Sequence, residues 1–416
     1  MKKRNKTTKR LQILVLALGF VCCGLLAFYV YTSHKTMDST EFYHPYVQVN
    51  KEAALYQLNK DEYEGFAKVY PNVTMQLEDE DKQDMHTAYF KLKNQDVYVK
   101  AEDVKEAGAL TKQKMTSRYL PFNESIITKD TYTIKDMENK NLVVMHQAHI
   151  YPIYMKDKDR IGVMIDDQMY FIDQQDIKET KQVENTKEEV AKDVPVFMYH
   201  YFYSKANGEK AENGNWLEVN DFEDQLKYLK EKGYQTVYMQ DLEYFLDGKI
   251  RLPKKSVSLT VDDGTKSIYQ YAYPLLKKYD MKATLFLITN KFKDGTLPDT
   301  FQEMKENGME LQSHSYAMHT GGCDGGHGGA LRCVDLDTGI KDTKKSFSII
   351  GGGFVYCYPY GDVTESALEI MKDSGVRMAF TTNYGKIEPG MDKLQLPRVR
   401  IFGESGLSQF IYSLDE

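Results

Sequence analysis

No extended basic face follows the first ten residues of this chain. Lysine and arginine number 54 against 61 aspartates and glutamates, a net charge of −7 with both signs mixed. That balance argues against a nucleic-acid partner. Tryptophan is nearly absent, with one residue against 31 tyrosines. Tyrosine-rich surfaces suit sugars and plain β-structure alike, so this imbalance selects no ligand. The N-terminal region lacks an Ala-x-Ala site and has no lipobox around Cys22-Cys23. A cleaved signal is therefore less favoured than an uncleaved anchor. What is present there is a basic head over 1–10, then Leu11 to Tyr31, uncharged and almost wholly apolar. That run matches the roughly 20 residues needed to cross a bilayer. The charge asymmetry predicts a single-pass membrane protein with its N-terminus in the cytoplasm and the rest extracellular. Residues 36–50 read as a stalk.

Three cysteines remain in the exported part: Cys323, Cys333 and Cys357. An oxidising compartment predicts a Cys323–Cys333 disulfide closing the glycine-rich loop 321–329, with Cys357 left as a buried thiol.

The most informative pattern begins at Val257-Ser258-Leu259-Thr260-Val261, an apolar, β-branched run that reads as a buried strand and ends on Asp262-Asp263-Gly264. Some fifty residues on stands His314-Ser315-Tyr316-Ala317-Met318-His319. On a helix, histidines spaced by five would point about 140° apart, so they converge on one ion only from a strand end or loop. One carboxylate and two imidazoles make a three-ligand set with a position open for water, as in catalytic metal sites. The second carboxylate is then free to act as a base.

These motifs resemble those of the NodB-homology polysaccharide deacetylases, carbohydrate esterase family 4. Thr260-Val261-Asp262-Asp263-Gly264 matches the first motif, and His314 to His319 the second, with the longer spacing of the branch acting on poly-N-acetylglucosamine and related wall glycans. Tyr358-Pro359-Tyr360-Gly361 resembles the third motif, Leu396-Pro397-Arg398 stands where the fourth is expected, and Val194 to His200 is typical of the branch's opening. The resemblance implies a distorted, incomplete (β/α) barrel. It implies Asp263, His314 and His319 as metal ligands, Asp262 as base and the backbone N–H of Tyr360 in the oxyanion hole. Zn²⁺ is the expected ion, with Co²⁺ or Mn²⁺ as alternatives.

Two departures stand out. Cys357 occupies the place of an arginine, so the group tuning the base must come from elsewhere, Arg398 or Arg400. No histidine follows His327, so the family's last-motif general acid is missing, and His200 is the substitute.

Residues 94–106 align without gaps to 167–179, each a strand, a turn and Asp-(Val/Ile)-Lys-Glu. This resembles bacterial SH3-like barrels and predicts two small β-modules within 50–180. Residues 181–193 form a charged linker, and 194–416 alternate strand and helix, implying a parallel sheet with its chemistry at strand C-termini. The expected activity is metal-dependent N-deacetylation of N-acetylglucosamine in wall glycan or exopolysaccharide by a monomer. A non-catalytic glycan-binding protein and an O-acetyl esterase are the alternatives.

Overall fold

The computed structural model describes residues 29–30, 46–78, 88–93, 96–108, 117–165, 168–184 and 187–415. The chain divides into two units: residues up to 115 with 120–187, and residues 116–119 with 188–416. The basic head and the expected membrane span lie outside the described residues, except that Tyr29–Val30 pair antiparallel with Val73–Thr74. Among the described residues no helix is long and apolar enough to cross a membrane.

The end of the expected stalk is a strand instead. In Tyr46–Val49 the apolar residues alternate, Val47 and Val49 are buried, and both edges are paired, with Val73–Gln76 and with Val104–Glu106. The repeat is visible in the fold as two copies of one topology. In each, the first strand (Tyr46–Val49; Glu124–Thr128) lies between the fourth and the last. The second strand (Ala53–Asn59; Tyr132–Lys135) lies between the third and the last but one. A 3-10 turn, Ala101–Asp103 or Gln174–Asp176, precedes the last strand at equivalent positions of the aligned segments.

The copies share one nine-stranded sheet, joined through their third strands, Glu62–Val69 and Asn141–Met145. The register there is Ala67↔Met145, Lys68↔Val144 and Val69↔Val143. Ala67 faces Leu55 as Val143 faces Ile134, and Val69 faces Ala53 as Met145 faces Tyr132. The junction therefore maps onto itself about the Lys68–Val144 pair, a local two-fold between duplicated halves.

The barrel of the second unit is built from seven parallel strands: β1 (Val196–Tyr199), β2 (Ser256–Val261), β3 (Thr284–Leu287), β4 (Glu310–Ser313), β5 (Val355–Cys357), β6 (Met378–Tyr384) and β7 (Leu396–Arg400). Direct pairing of β1 with both β7 and β2 closes the ring. The barrel is thus closed with seven strands, one short of eight, which agrees with the incomplete barrel expected from sequence. β7 carries Pro397, a poor strand residue that cannot donate to a ladder, and neighbouring β6 shifts register between Phe380 and Tyr384 beside it. The segment at 235–239 is a strand only over Gln235–Thr236, and Met239 already begins a helix, Met239–Leu246.

Both faces of each strand are covered, which is why the strands read as continuous apolar runs. One set of alternate residues (Phe197, Tyr199, Val257, Leu259, Val261, Leu285, Leu287, Leu311, Tyr356, Ala379, Val399) packs with Phe222, Leu226, Leu229, Ile268, Leu276, Ile370 and Met371 from the surrounding helices. The other set, including Met198, Thr260, Phe286, Gln312, Cys357, Phe380 and Arg398, points into the barrel by the two-residue period of a strand. Contacts among them agree: Phe286 and Phe380 rings lie 5.8 Å apart, and Arg398 bonds Thr260 Oγ1 at 3.2 Å.

Candidate active site

The inward phase of the barrel, continued past the strand ends, carries His200, Asp262, His314 and Cys357 to one rim. Asp263 would by alternation face away, but its φ of 72°, followed by Gly264 at 69°, turns the chain and returns the carboxylate to the rim. Aspartate tolerates this left-handed conformation, and only glycine fits next, because a Cβ at 264 would lie 2.9 Å from Leu287 Cδ2. Ser315 and Tyr360 also have positive φ, 82° and 62°. Strain of this kind gathers where a structure must hold side chains in a set geometry.

Asp263, His314 and His319 come together. Asp263 Oδ1 lies 3.6 Å from His314 Nε2 and 3.5 Å from His319 Nε2, and it is buried without a hydrogen-bond partner. Ligands at about 2.05 Å from a tetrahedral ion stand roughly 3.3 Å apart. The separations found are too long for hydrogen bonds and close to that span, so the three groups fit a divalent metal ion. Neighbours orient each of them. His314 Nδ1 donates to the Cys357 carbonyl at 2.7 Å, leaving Nε2 with its lone pair toward the centre. Asp263 Oδ2 accepts the hydroxyl of Tyr201, which leaves Oδ1 inward. Burial and the adjacent His314 pull His319 down to about 4, so its imidazole is neutral near pH 7.

Asp262 sits beside this set in a different environment. Burial pushes its pKa up, but the Arg398 guanidinium overrides that and holds it well below the usual carboxylate range. Arg398 reaches it through two parallel bonds of 2.8 Å, NH1 to Oδ1 and NH2 to Oδ2, and is itself buried. Arg398 NH2 also lies 2.9 Å from Cys357 Sγ. The small thiol therefore stands where a longer side chain would compete with the guanidinium, and β7 supplies the cation. Arg400, the other sequence candidate, instead donates to Asn215 Oδ1 at 2.5 Å. Among the described residues a second possible metal group is Asp262, His314 and Cys357. Arg398 already neutralises Asp262 there, and burial pushes the Cys357 thiol up, so that group does not suit a cation.

His200 Nε2 is 3.9 Å from Asp262 Oδ2, and burial lowers its pKa against the pull of Asp262 and Asp263. Its Nδ1 is buried without a partner. The Tyr360 ring packs on His319 with centroids 4.6 Å apart. The Cys323–Cys333 disulfide is formed, and its loop is tied to the third motif through Asp362, which accepts N–H bonds from His327 and Gly329 and pairs with Arg332. His327 itself is largely exposed and lies outside the metal group.

Sequence reading misses three supports. Asp342 accepts the N–H groups of Tyr316 and Ala317, fixing the loop that carries both histidines. Tyr201 orients Asp263, and Cys357 offers its carbonyl to His314. Asp342 comes from a helix, Leu336–Ile349, where its only sequence signal is a carboxylate on an otherwise buried face.

The family model described as polysaccharide deacetylase matches residues 249–379. YxkH of Bacillus subtilis (strain 168), whose name places it among polysaccharide deacetylases, is 30% identical over 214 residues, 50% of this chain and 71% of its own length. The chain belongs to the polysaccharide deacetylase family. It is also similar to the poly-beta-1,6-N-acetyl-D-glucosamine N-deacetylase of Staphylococcus aureus (strain MRSA252), 27% identical over 49% of this chain and 74% of that one. Among solved structures, the Streptococcus pyogenes deacetylase PplD in complex with acetate is 26% identical, with a TM-score of 0.47 over 55% of this chain and 100% of that one.

Proposed function

We propose that this polysaccharide deacetylase removes acetyl groups from N-acetylglucosamine in an extracellular wall glycan or exopolysaccharide, using Zn²⁺ held by Asp263, His314 and His319. The observation that carries this is the partnerless, buried Asp263 Oδ1 facing the Nε2 atoms of two imidazoles beside a carboxylate kept ionised by Arg398. A divalent ion bound there supplies Lewis-acid polarisation of a carbonyl and acidifies water.

The chain's own groups do the rest. Asp262 takes a proton from the attacking water, and its pairing with Arg398 sets the orientation of that base. The backbone N–H of Tyr360 donates to the developing oxyanion. His200 Nε2, 3.9 Å from Asp262, passes to the leaving amine the proton that Asp262 has taken from the water. A purely glycan-binding role would require no ionised base at Asp262. We also place the protein at the cell membrane as a monomer, anchored through residues 11–31, with residues 194–416 as the catalytic domain outside; the basic head and apolar run support this topology.

The product is a primary amine, protonated near neutral pH, on a surface otherwise rich in anionic polymers. Cells lacking the protein are expected to have a lower glucosamine to N-acetylglucosamine ratio, read by mass spectrometry of digested wall and exopolymer. An identical ratio under several growth conditions rejects the wall-glycan reading.

A further inference from the structure

A cavity of about 660 Å³ adjoins the rim, and Tyr201 joins the two. The hydroxyl of Tyr201 donates to Asp263, while its ring lies 5.1 Å from that of Trp216 at an interplanar angle of 32°. The two residues face each other in a short parallel pair, Tyr201–Tyr203 with Trp216–Glu218. Trp216 is the chain's single tryptophan, and it is only half-buried.

Another part of the lining is polar and already ordered. Tyr271 donates its hydroxyl to Glu209 Oε1 at 2.8 Å and accepts from Asn207 at 3.1 Å and Gln270 at 2.7 Å. Glu209 Oε2 in turn accepts the Ser204 N–H at 2.8 Å. The volume falls within the roughly 300–1,000 Å³ of small-molecule sites. An amphipathic aromatic face beside fixed donors and acceptors is the chemistry that receives a pyranose ring, whose C–H face is apolar and whose rim carries hydroxyl and amide groups.

We propose that this cavity is a subsite for a second sugar of the glycan, an N-acetylhexosamine near the one that reacts, with Trp216 as its stacking platform. The proposal rests on the glycan-deacetylase reading, and it makes the enzyme act on polymer in preference to short fragments.

Because Trp216 is the single tryptophan, intrinsic fluorescence of the intact protein reports occupancy without any turnover. Titration with pentamers of β-1,6- and β-1,4-linked N-acetylglucosamine is expected to change the emission with at least one of them. Acetate release is expected to show a higher kcat/KM for the pentamer than for the dimer. Trp216→Ala should cut that advantage about tenfold through KM, the effect of about 1.4 kcal/mol of lost stacking, and Trp216→Phe should restore most of it. An emission change without acetate release supports the subsite and removes the deacetylase reading. Unchanged emission with both pentamers overturns the subsite, as does a pentamer-to-dimer ratio that Trp216→Ala leaves intact.

Discussion

The two ends of the barrel both carry carboxylates out of water, and they treat them in opposite ways. At the N-terminal end Asp241 accepts the hydroxyls of Ser117 and Tyr119. Glu243 pairs with Arg377 and Lys393. Glu310 accepts the Met239 N–H and the Thr284 hydroxyl. At the C-terminal rim Asp263 Oδ1 and His200 Nδ1 are buried with no partner, and three non-glycine residues hold positive φ. Buried polar groups are ordinarily satisfied, so an unsatisfied one calls for a ligand or a chemical role. The same strands thus end in a stabilising network on one side and in a site with groups left for a ligand on the other.

The contrast breaks most severely at Arg398. Removing the guanidinium leaves Asp262 as a buried, uncompensated charge, a change that typically costs about 3–5 kcal/mol. Arg398→Met is expected to lose that much in urea unfolding, and adding Asp262→Asn should recover part of it. Full stability in Arg398→Met would show that the pair is not held in the buried state described.

Next comes the base. Asp262→Asn keeps a side chain that can bond Arg398 but cannot take a proton. Acetate release should fall on the order of 10²-fold or more, while metal content measured by elemental analysis stays at the wild-type level. Activity near wild type would assign the base to another group.

The smallest effect lies at the opposite end and is expected to have the opposite sign. Burial raises Glu310 from 4.5 to about 7, so the folded state binds a proton that the unfolded chain has released. The contribution of Glu310 to stability is therefore greatest below about pH 4.5, falls between pH 4.5 and 7, and is level above. Glu310→Gln should remove that dependence and stabilise the protein at pH 8 by about 3 kcal/mol, with little change at pH 4. Equal effects at both pH values would contradict a raised Glu310.

Much of the rim is legible in the sequence because its parts are local. A buried strand running into Asp262-Asp263-Gly264 announces two carboxylates at a strand end, and the spacing of His314 and His319 points to a loop. The absence of an arginine at Cys357 even directs attention to Arg398 or Arg400, between which only the structure chooses. What escapes reading is set by chain segments meeting in space. Asp342 supports the histidine loop from a helix more than twenty residues away, and Tyr201 reaches Asp263 across sixty. In the other unit the repeat is evident from aligned residues, but the pairing of Ala67 with Met145 depends on which edges remain unpaired. Edge availability leaves no pattern in either strand. The strand at Leu396–Arg400 is hidden for a chemical reason, since Pro397 opposes the ladder that neighbouring strands impose.

In the proposed function, a divalent ion on Asp263, His314 and His319 is what the rim of the barrel uses to deacetylate N-acetylglucosamine. Acetate release by the intact protein from a poly-β-1,6-N-acetylglucosamine oligomer, measured before chelation, after chelation and after Zn²⁺ is returned, tests it most directly. Release that chelation abolishes and one equivalent of Zn²⁺ restores is expected in the wild type, but no restoration in His314→Ala. Release that persists in the thoroughly chelated protein, or that Zn²⁺ restores equally in His314→Ala, would contradict it.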